Sequence, residues 1–184
     1  MKLSIRTRAI ALFIFGAALI FGTTNAATAN SAAPAAATPA ASTHSIWITF
    51  YGWTDNSPPG AGIDHPCIHK TAGGVGTYSN PVTYADPQHL NGPFCQIIYV
   101  PALKKYFIHE DQCDPCGGKN SNHFDLWMGG DKNSTKNPEK TALLNCEDKW
   151  TTTESVIESP ASNEPVDTTP LFSPPTTCHG GTGD

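Results

Sequence analysis

Residues 97–130, IIYVPALKKYFIHEDQCDPCGGKNSNHFDLWMGG, decide how this chain is read. Ile97, Ile98, Tyr99 and Val100 make an apolar, β-branched run that reads as a strand, and Pro101 with Lys104-Lys105 marks a solvated turn after it. A second strand follows over 106–111, then a loop holding Cys113 and Cys116, then a third strand carrying Phe124-Asp125-Leu126-Trp127. The acid inside that last apolar run is the most informative feature. Burying Asp125 between Phe124 and Leu126 costs several kcal/mol unless its carboxyl is hydrogen-bonded, opens on a cleft or stays protonated. Two readings stand open: a structural aspartate tied to backbone amides, or an acid held ready for use.

Working outward, IWITFY over 46–51 is β-branched and aromatic, and its alternation puts Ile46, Ile48 and Phe50 on one face and Trp47, Thr49 and Tyr51 on the other. The first three are the expected core. With a further strand over 82–85 and Pro and Gly between the runs, short strands and irregular loops point to a small barrel rather than a parallel sheet. The one good helix signal is Asn137-Pro138-Glu139 leading into Ala142-Leu143-Leu144, with Asn137 as N-cap and Pro138 at the first helical position. Gly73-Gly74-Val75-Gly76 is not a phosphate loop, because no Lys-Ser/Thr follows it and no βαβ unit surrounds it.

At the N-terminus, Lys2, Arg6 and Arg8 precede an apolar run over 9–21 and a small-residue exit at Thr24-Asn25-Ala26, the pattern of a secretory signal peptide over 1–26. Cleavage is expected after Ala26 or Ala29. No later stretch reaches the roughly 18 apolar residues of a membrane span, so an exported, soluble, monomeric protein with no membrane partner is expected. Removing the signal takes three of the 11 Lys and Arg and none of the 16 Asp and Glu, which moves the net charge from −5 to −8. Such an excess disfavours nucleic acid, whose phosphates are gripped by clustered Lys and Arg. Residues 27–43, rich in Ala, Pro, Thr and Ser, read as a flexible linker. The domain is placed at 44–150, and 151–184 reads as an irregular Thr/Pro-rich tail that Cys178 can pin back.

An exported chain with six cysteines, Cys67, Cys95, Cys113, Cys116, Cys146 and Cys178, points to disulfides. Of the connectivities open to it, Cys67 with Cys95 is preferred, the rest pairing among themselves. Cys113-Asp114-Pro115-Cys116 has the spacing of a redox motif but lacks the βαβ context of a thioredoxin-like protein. His65-Pro66-Cys67-Ile68-His69 and His109-Glu110-Asp111-Gln112-Cys113 bunch possible zinc ligands, yet no second Cys-x-x-Cys pair accompanies them. Polar loop histidines are the reading preferred, and no metal or cofactor is expected.

Thr49-Phe50-Tyr51-Gly52-Trp53-Thr54-Asp55 together with His123-Phe124-Asp125-Leu126 resembles the TFYGxxD and HFDL signatures of expansins and related small endoglucanases. Separately, Ala85-Asp86-Pro87, Glu110-Asp111 and Phe124-Asp125-Leu126 resemble the three aspartates of the bacterial three-aspartate domain, related to rare lipoprotein A and to the membrane-bound lytic transglycosylase A. Both comparisons imply a mostly β, six-stranded double-psi β-barrel, and both meet at Asp125.

What the resemblance implies is an action on cell-wall polysaccharide, peptidoglycan or a β-glucan, with Asp125 as general acid. In an inverting hydrolase Asp55 takes the base's position on the opposite face of the sugar; in a lytic transglycosylase the sugar's own 6-hydroxyl attacks and Asp125 works alone. The apolar flanks of Asp125 supply the desolvation that raises its pKa. After Asp55 the chain runs Asn-Ser-Pro-Pro-Gly rather than the Cys- and Gly-rich segment of expansins, so capping a turn is its other reading. Asp111 joins the catalytic set, and Asp86, His123, Tyr51 and Trp127 are placed against substrate; for Asp111 and Asp86, capping a loop through backbone amides is an equal alternative. Trp53 is the preferred platform for stacking on a sugar ring; for Trp47, Tyr78 and Tyr84 core packing is preferred. A non-catalytic wall-binding or wall-loosening protein, and an effector or inhibitor on a disulfide scaffold, are the alternatives.

Overall fold

The computed structural model describes residues 40–87, 92–113, 116 and 122–180; the segment read as a signal peptide, most of the segment read as a linker and the rest of the Cys113–Cys116 loop lie outside that range. The period-two pattern of IWITFY is realised in β1 (Ser42–Gly52), where Ile46 and Ile48 are buried to 1% exposure while Trp47 keeps 47%. β2 (Val82–Asp86), β3 (Ile97–Val100), β4 (Lys105–Gln112) and β5 (His123–Gly129) follow, then α1 (Glu139–Trp150) and β6 (Thr152–Glu158). These six strands close into a barrel in the order β1-β5-β2-β4-β3-β6. Two neighbours run parallel, β1 with β5 and β2 with β4, and the other pairs are antiparallel.

Inside the barrel, Ile46, Ile48 and Phe50 of β1 meet Phe124, Leu126 and Met128 of β5, with Tyr84, Ile98, Phe107 and Val156 from the remaining strands. β4 is buried over almost its whole length, and the 64–72 loop is bonded to Glu110 and Asp111 near its end. That loop is fastened by Glu110, whose carboxylate accepts the amides of Cys67, Ile68 and His69 and pairs with the His69 ring at 2.6 Å. Burial alone pushes Glu110 up, but these hydrogen bonds outweigh it and hold its pKa below the usual range. Cys67 is bonded to Cys95, as expected, and His69 spends its second nitrogen on Asn80. The zinc-like cluster is therefore a structural clasp.

Two expectations are corrected. The segment read as an irregular tail opens with β6, which pairs with β1 through seven residue pairs and with β3 through two, and so completes the barrel. Its sequence, TTESVIE, hides the strand because only Val156 is fully buried. Beyond it the chain is irregular but tied down: Tyr106 Oη donates to Ala161 O, Tyr99 Oη to Pro165 O at 2.6 Å, and Lys105 Nζ to Asp167 O. A two-stranded hairpin of β7 (Phe172–Ser173) and β8 (Thr177–Cys178) ends in the Cys146–Cys178 disulfide. The second correction concerns α1, which starts at Glu139 with Pro138 at the cap and no side-chain cap bond; Asn137 instead accepts from Thr141 Oγ1 at 2.8 Å.

Candidate functional site

The parallel pairing of β1 and β5 sets three residues of each strand opposite one another on the face opposite Ile46, Ile48 and Phe50: Trp47 with His123, Thr49 with Asp125, Tyr51 with Trp127. Each pair interacts. Trp47 stacks on His123 at 4.8 Å, Thr49 Oγ1 donates to Asp125 Oδ1 at 2.7 Å, and the Tyr51 and Trp127 rings meet edge to face at 5.2 Å. This stripe follows directly from the alternation that makes Ile46, Ile48, Phe50, Phe124 and Leu126 core.

Asp125 is the chemical centre of the stripe. Burial is the main cause that raises its pKa, to about 7, with the charges of Asp55 and Asp111 adding to it and the Thr49 hydroxyl opposing it. Thr49 Oγ1 also lies 2.6 Å from His123 Nε2, and His123 Nδ1 faces Cys116 O at 3.3 Å. With Asp125 protonated, its acid proton points to Thr49, the Thr49 hydroxyl donates to Nε2, and Nδ1–H donates to the carbonyl. With Asp125 ionised, all three bonds hold only if His123 carries both protons. Thr49 Oγ1 thus joins Asp125 and His123 in one hydrogen-bonded chain. Burial lowers the His123 pKa and so favours the proton on Asp125.

Asp125 opens on a cleft of about 340 Å³ whose lining includes Tyr51, Asp55, Asp64, Asp111, Gln112 and Cys113. Asp111 accepts from Tyr51 Oη at 2.8 Å, from Gln112 N at 2.9 Å and from Asp64 N at 3.2 Å. Burial still leaves its pKa raised. Asp55 is exposed as a residue, but its carboxyl turns inward to accept the Gly52 amide at 2.7 Å, which is the turn-capping geometry. It also shares a hydrogen bond with Glu147 of α1. Glu147 is 5% exposed, and burial first, then the Asp55 charge, push its pKa up to about 9. It is therefore the protonated donor and Asp55 the acceptor. Gly52 has no Cβ because one there would meet Glu147 Oε1 at 2.8 Å and Leu143 Cδ2 at 2.9 Å.

The structure thus brings Asp125, Asp111, Asp55 and Tyr51 to one cleft, with His123 behind Asp125. Asp86 is fully buried, at 0% exposure, and is not among the residues that line the cleft. Trp127 is buried beneath Tyr51, and Trp53 is partly buried against the core, with neither lining the cleft. The exposed aromatic on the stripe is Trp47, for which the sequence favoured core packing; Tyr78 is likewise 40% exposed, whereas Tyr84 is core as expected. Glu147 went unnoticed, since nothing in EKTALLNCEDKW separates it from solvated helix charges.

Among the described residues one group of three side chains brings metal-type donor atoms together, Cys113, Cys116 and Asp125, within 4.8 Å of one another. The two sulfurs are joined as a disulfide, which removes the thiolates a metal would need.

Compared with known proteins, residues 43–179 match the family described as the DDB_G0273701 N-terminal domain. The chain is also similar to the uncharacterized protein DDB_G0273701/DDB_G0273221 of Dictyostelium discoideum, 41% identical over 132 residues, which are 68% of this chain and 55% of that protein. It spans little more than half the length of that relative. No solved structure matches.

Proposed function

From the premise that this chain belongs to the DDB_G0273701 N-terminal domain family, we propose that it is an exported protein that cleaves glycan strands of cell-wall polysaccharide with Asp125 as general acid. The barrel is read as double-psi, a reading supported by its two parallel pairs, β1 with β5 and β2 with β4, and by the expansin-like motifs they carry. One observation carries the activity: a carboxyl withdrawn from water, poised at about 7 and open to a cleft. A general acid works best when its pKa lies near the operating pH.

The engagement of Asp55 favours the single-acid route. Its carboxyl is already taken up by Gly52 N–H and Glu147, whereas an inverting base must hold a free oxygen toward water. In the single-acid route Asp125 gives its proton to the glycosidic oxygen as the C1–O bond breaks, the 6-hydroxyl oxygen of the same sugar bonds to C1, and the hydroxyl proton returns to Asp125. No water is consumed, and an anhydro-sugar end forms. Peptidoglycan is accordingly the preferred polymer, and Trp47 lies about 7 Å along the strand from the level of Asp125, where a neighbouring sugar ring can stack.

Exposure of Trp47 also favours a second reading, a wall-binding protein without catalysis. Mass spectrometry of material released from peptidoglycan and from amorphous cellulose, by the wild type and by Asp125→Asn, separates the two. Anhydro ends that vanish in the variant are expected. Release of nothing by the wild type, with insoluble glycan pulled down and that pull-down lost in Trp47→Ala, leaves the binding reading in its place.

A further inference from the structure

The sequence set aside a redox role for Cys113 and Cys116 because the surrounding fold is not βαβ. Thiol–disulfide exchange, however, asks for no particular fold. It asks for a reachable disulfide, and for a group that hands a proton to the departing thiolate and takes one from the attacking thiol. Both are present here. Asp125 Oδ2 lies 3.7 Å from Cys113 Sγ and 3.6 Å from Cys116 Sγ, so one carboxyl oxygen serves either sulfur. Cys113 lines the cleft on which Asp125 opens, and both cysteines are only partly buried.

The three disulfides also differ in what they do for the fold. Cys67–Cys95 and Cys146–Cys178 join residues 28 and 32 apart, whereas Cys113 and Cys116 are three apart. Constraint of the unfolded chain grows with the loop closed, so the short pair contributes least to stability and is the one whose opening the fold tolerates best. Cys146, by contrast, is 1% exposed.

We propose that Cys113–Cys116 is an exchange centre for dithiols and disulfides of exported proteins, with Asp125 as its proton donor and acceptor. A substrate thiolate attacks one sulfur, the Cys113–Cys116 bond breaks, and the electron pair leaves on the other sulfur, which takes the proton of Asp125. The second substrate thiol gives its proton to the Asp125 carboxylate and attacks the substrate sulfur of the mixed disulfide. The first cysteine departs as a thiolate and takes up from solvent the proton the first substrate thiol had released. The substrate dithiol is oxidised by two electrons and the cysteine pair reduced by two; a disulfide substrate runs the same steps in reverse. A carboxyl titrating at about 7 is suited to both halves of this cycle. The proposal stands independently of glycan cleavage.

The test equilibrates the full chain in glutathione redox buffers, traps thiols by alkylation and reads each cysteine by peptide mass spectrometry. Cys113 and Cys116 are expected to open while the other two pairs stay closed. The rate of opening by dithiothreitol near pH 6 should fall roughly tenfold or more in Asp125→Asn. Since Asp125→Asn alters a buried group, the wild-type rate is also followed relative to that of oxidised glutathione. That ratio should fall as pH rises through about 7, where the donor is lost. Opening of all three pairs together, an unchanged rate in Asp125→Asn, or a ratio independent of pH each overturns the proposal.

Discussion

Asp125 and Glu147 are both carboxyls lifted by burial, and the lift makes two different measurements move with pH. If Asp125 is the proposed general acid it must be protonated to act, so cleavage should be high below about 7 and fall as pH rises through its titration. A pH–rate profile with a falling limb near that value is expected, and a flat profile there removes Asp125 from the acid's role. For stability, burial holds the folded pKa of Glu147 at about 9, against 4.5 for an ordinary glutamate. Between those values the folded state holds a proton that the unfolded chain has released, so stability declines as pH rises across that window. Glu147→Gln keeps a donor for Asp55 but cannot ionise. Thermal unfolding should therefore show the variant gaining on the wild type as pH increases, the two converging toward acid. Only one of these residues was legible beforehand. An acid between Phe124 and Leu126 breaks a strand's apolar pattern, whereas an acid beside Asp148 and Lys149 breaks nothing in a helix; its burial comes from α1 packing on β1, a contact no local window contains.

At the level of elements, the alternation of β1 and β5 was readable because each strand has one apolar face, and it carried the site with it. Trp47 escaped that reading, since alternation assigns a face but not what covers it, and here His123 takes one side of the ring and solvent the other. The meeting of β1 with α1 is narrower still. At Gly52 an added Cβ would lie 2.8 Å from Glu147 Oε1, 2.9 Å from Leu143 Cδ2 and 3.0 Å from Gly129 O. Gly52→Ala therefore has to push α1 outward, and overpacking of this kind costs about 1–3 kcal/mol. Chemical denaturation should report that loss. Glu147 donates to Asp55 and so lowers the Asp55 pKa; displacing it in the same variant should raise the pH at which Asp55 releases its proton, visible in carboxyl titration by NMR.

Closure of the whole barrel depends on the segment that looked least like structure. β6 alone joins β1 to β3, so without it both strands carry unpaired backbone groups and Val156, Ile98 and Phe107 lose part of their cover. A chain ending after Trp150 should therefore lack cooperative unfolding and bind a hydrophobic dye, even though every residue lining the cleft is retained. If that truncation instead unfolds cooperatively at the wild-type midpoint, β6 is an accessory strand and the barrel closes by other means. The Cys146–Cys178 bond offers a milder version of the same experiment, because it fastens the returning chain to α1 rather than supplying a strand. Closing 32 residues constrains the unfolded chain by about 3.7 kcal/mol in the loop-entropy picture. The Cys146→Ala, Cys178→Ala double variant should lose stability on that order, keep a cooperative transition and keep the Asp125 titration. Loss of the titration along with stability would mean that the tail, through α1 and Glu147, also holds the site together.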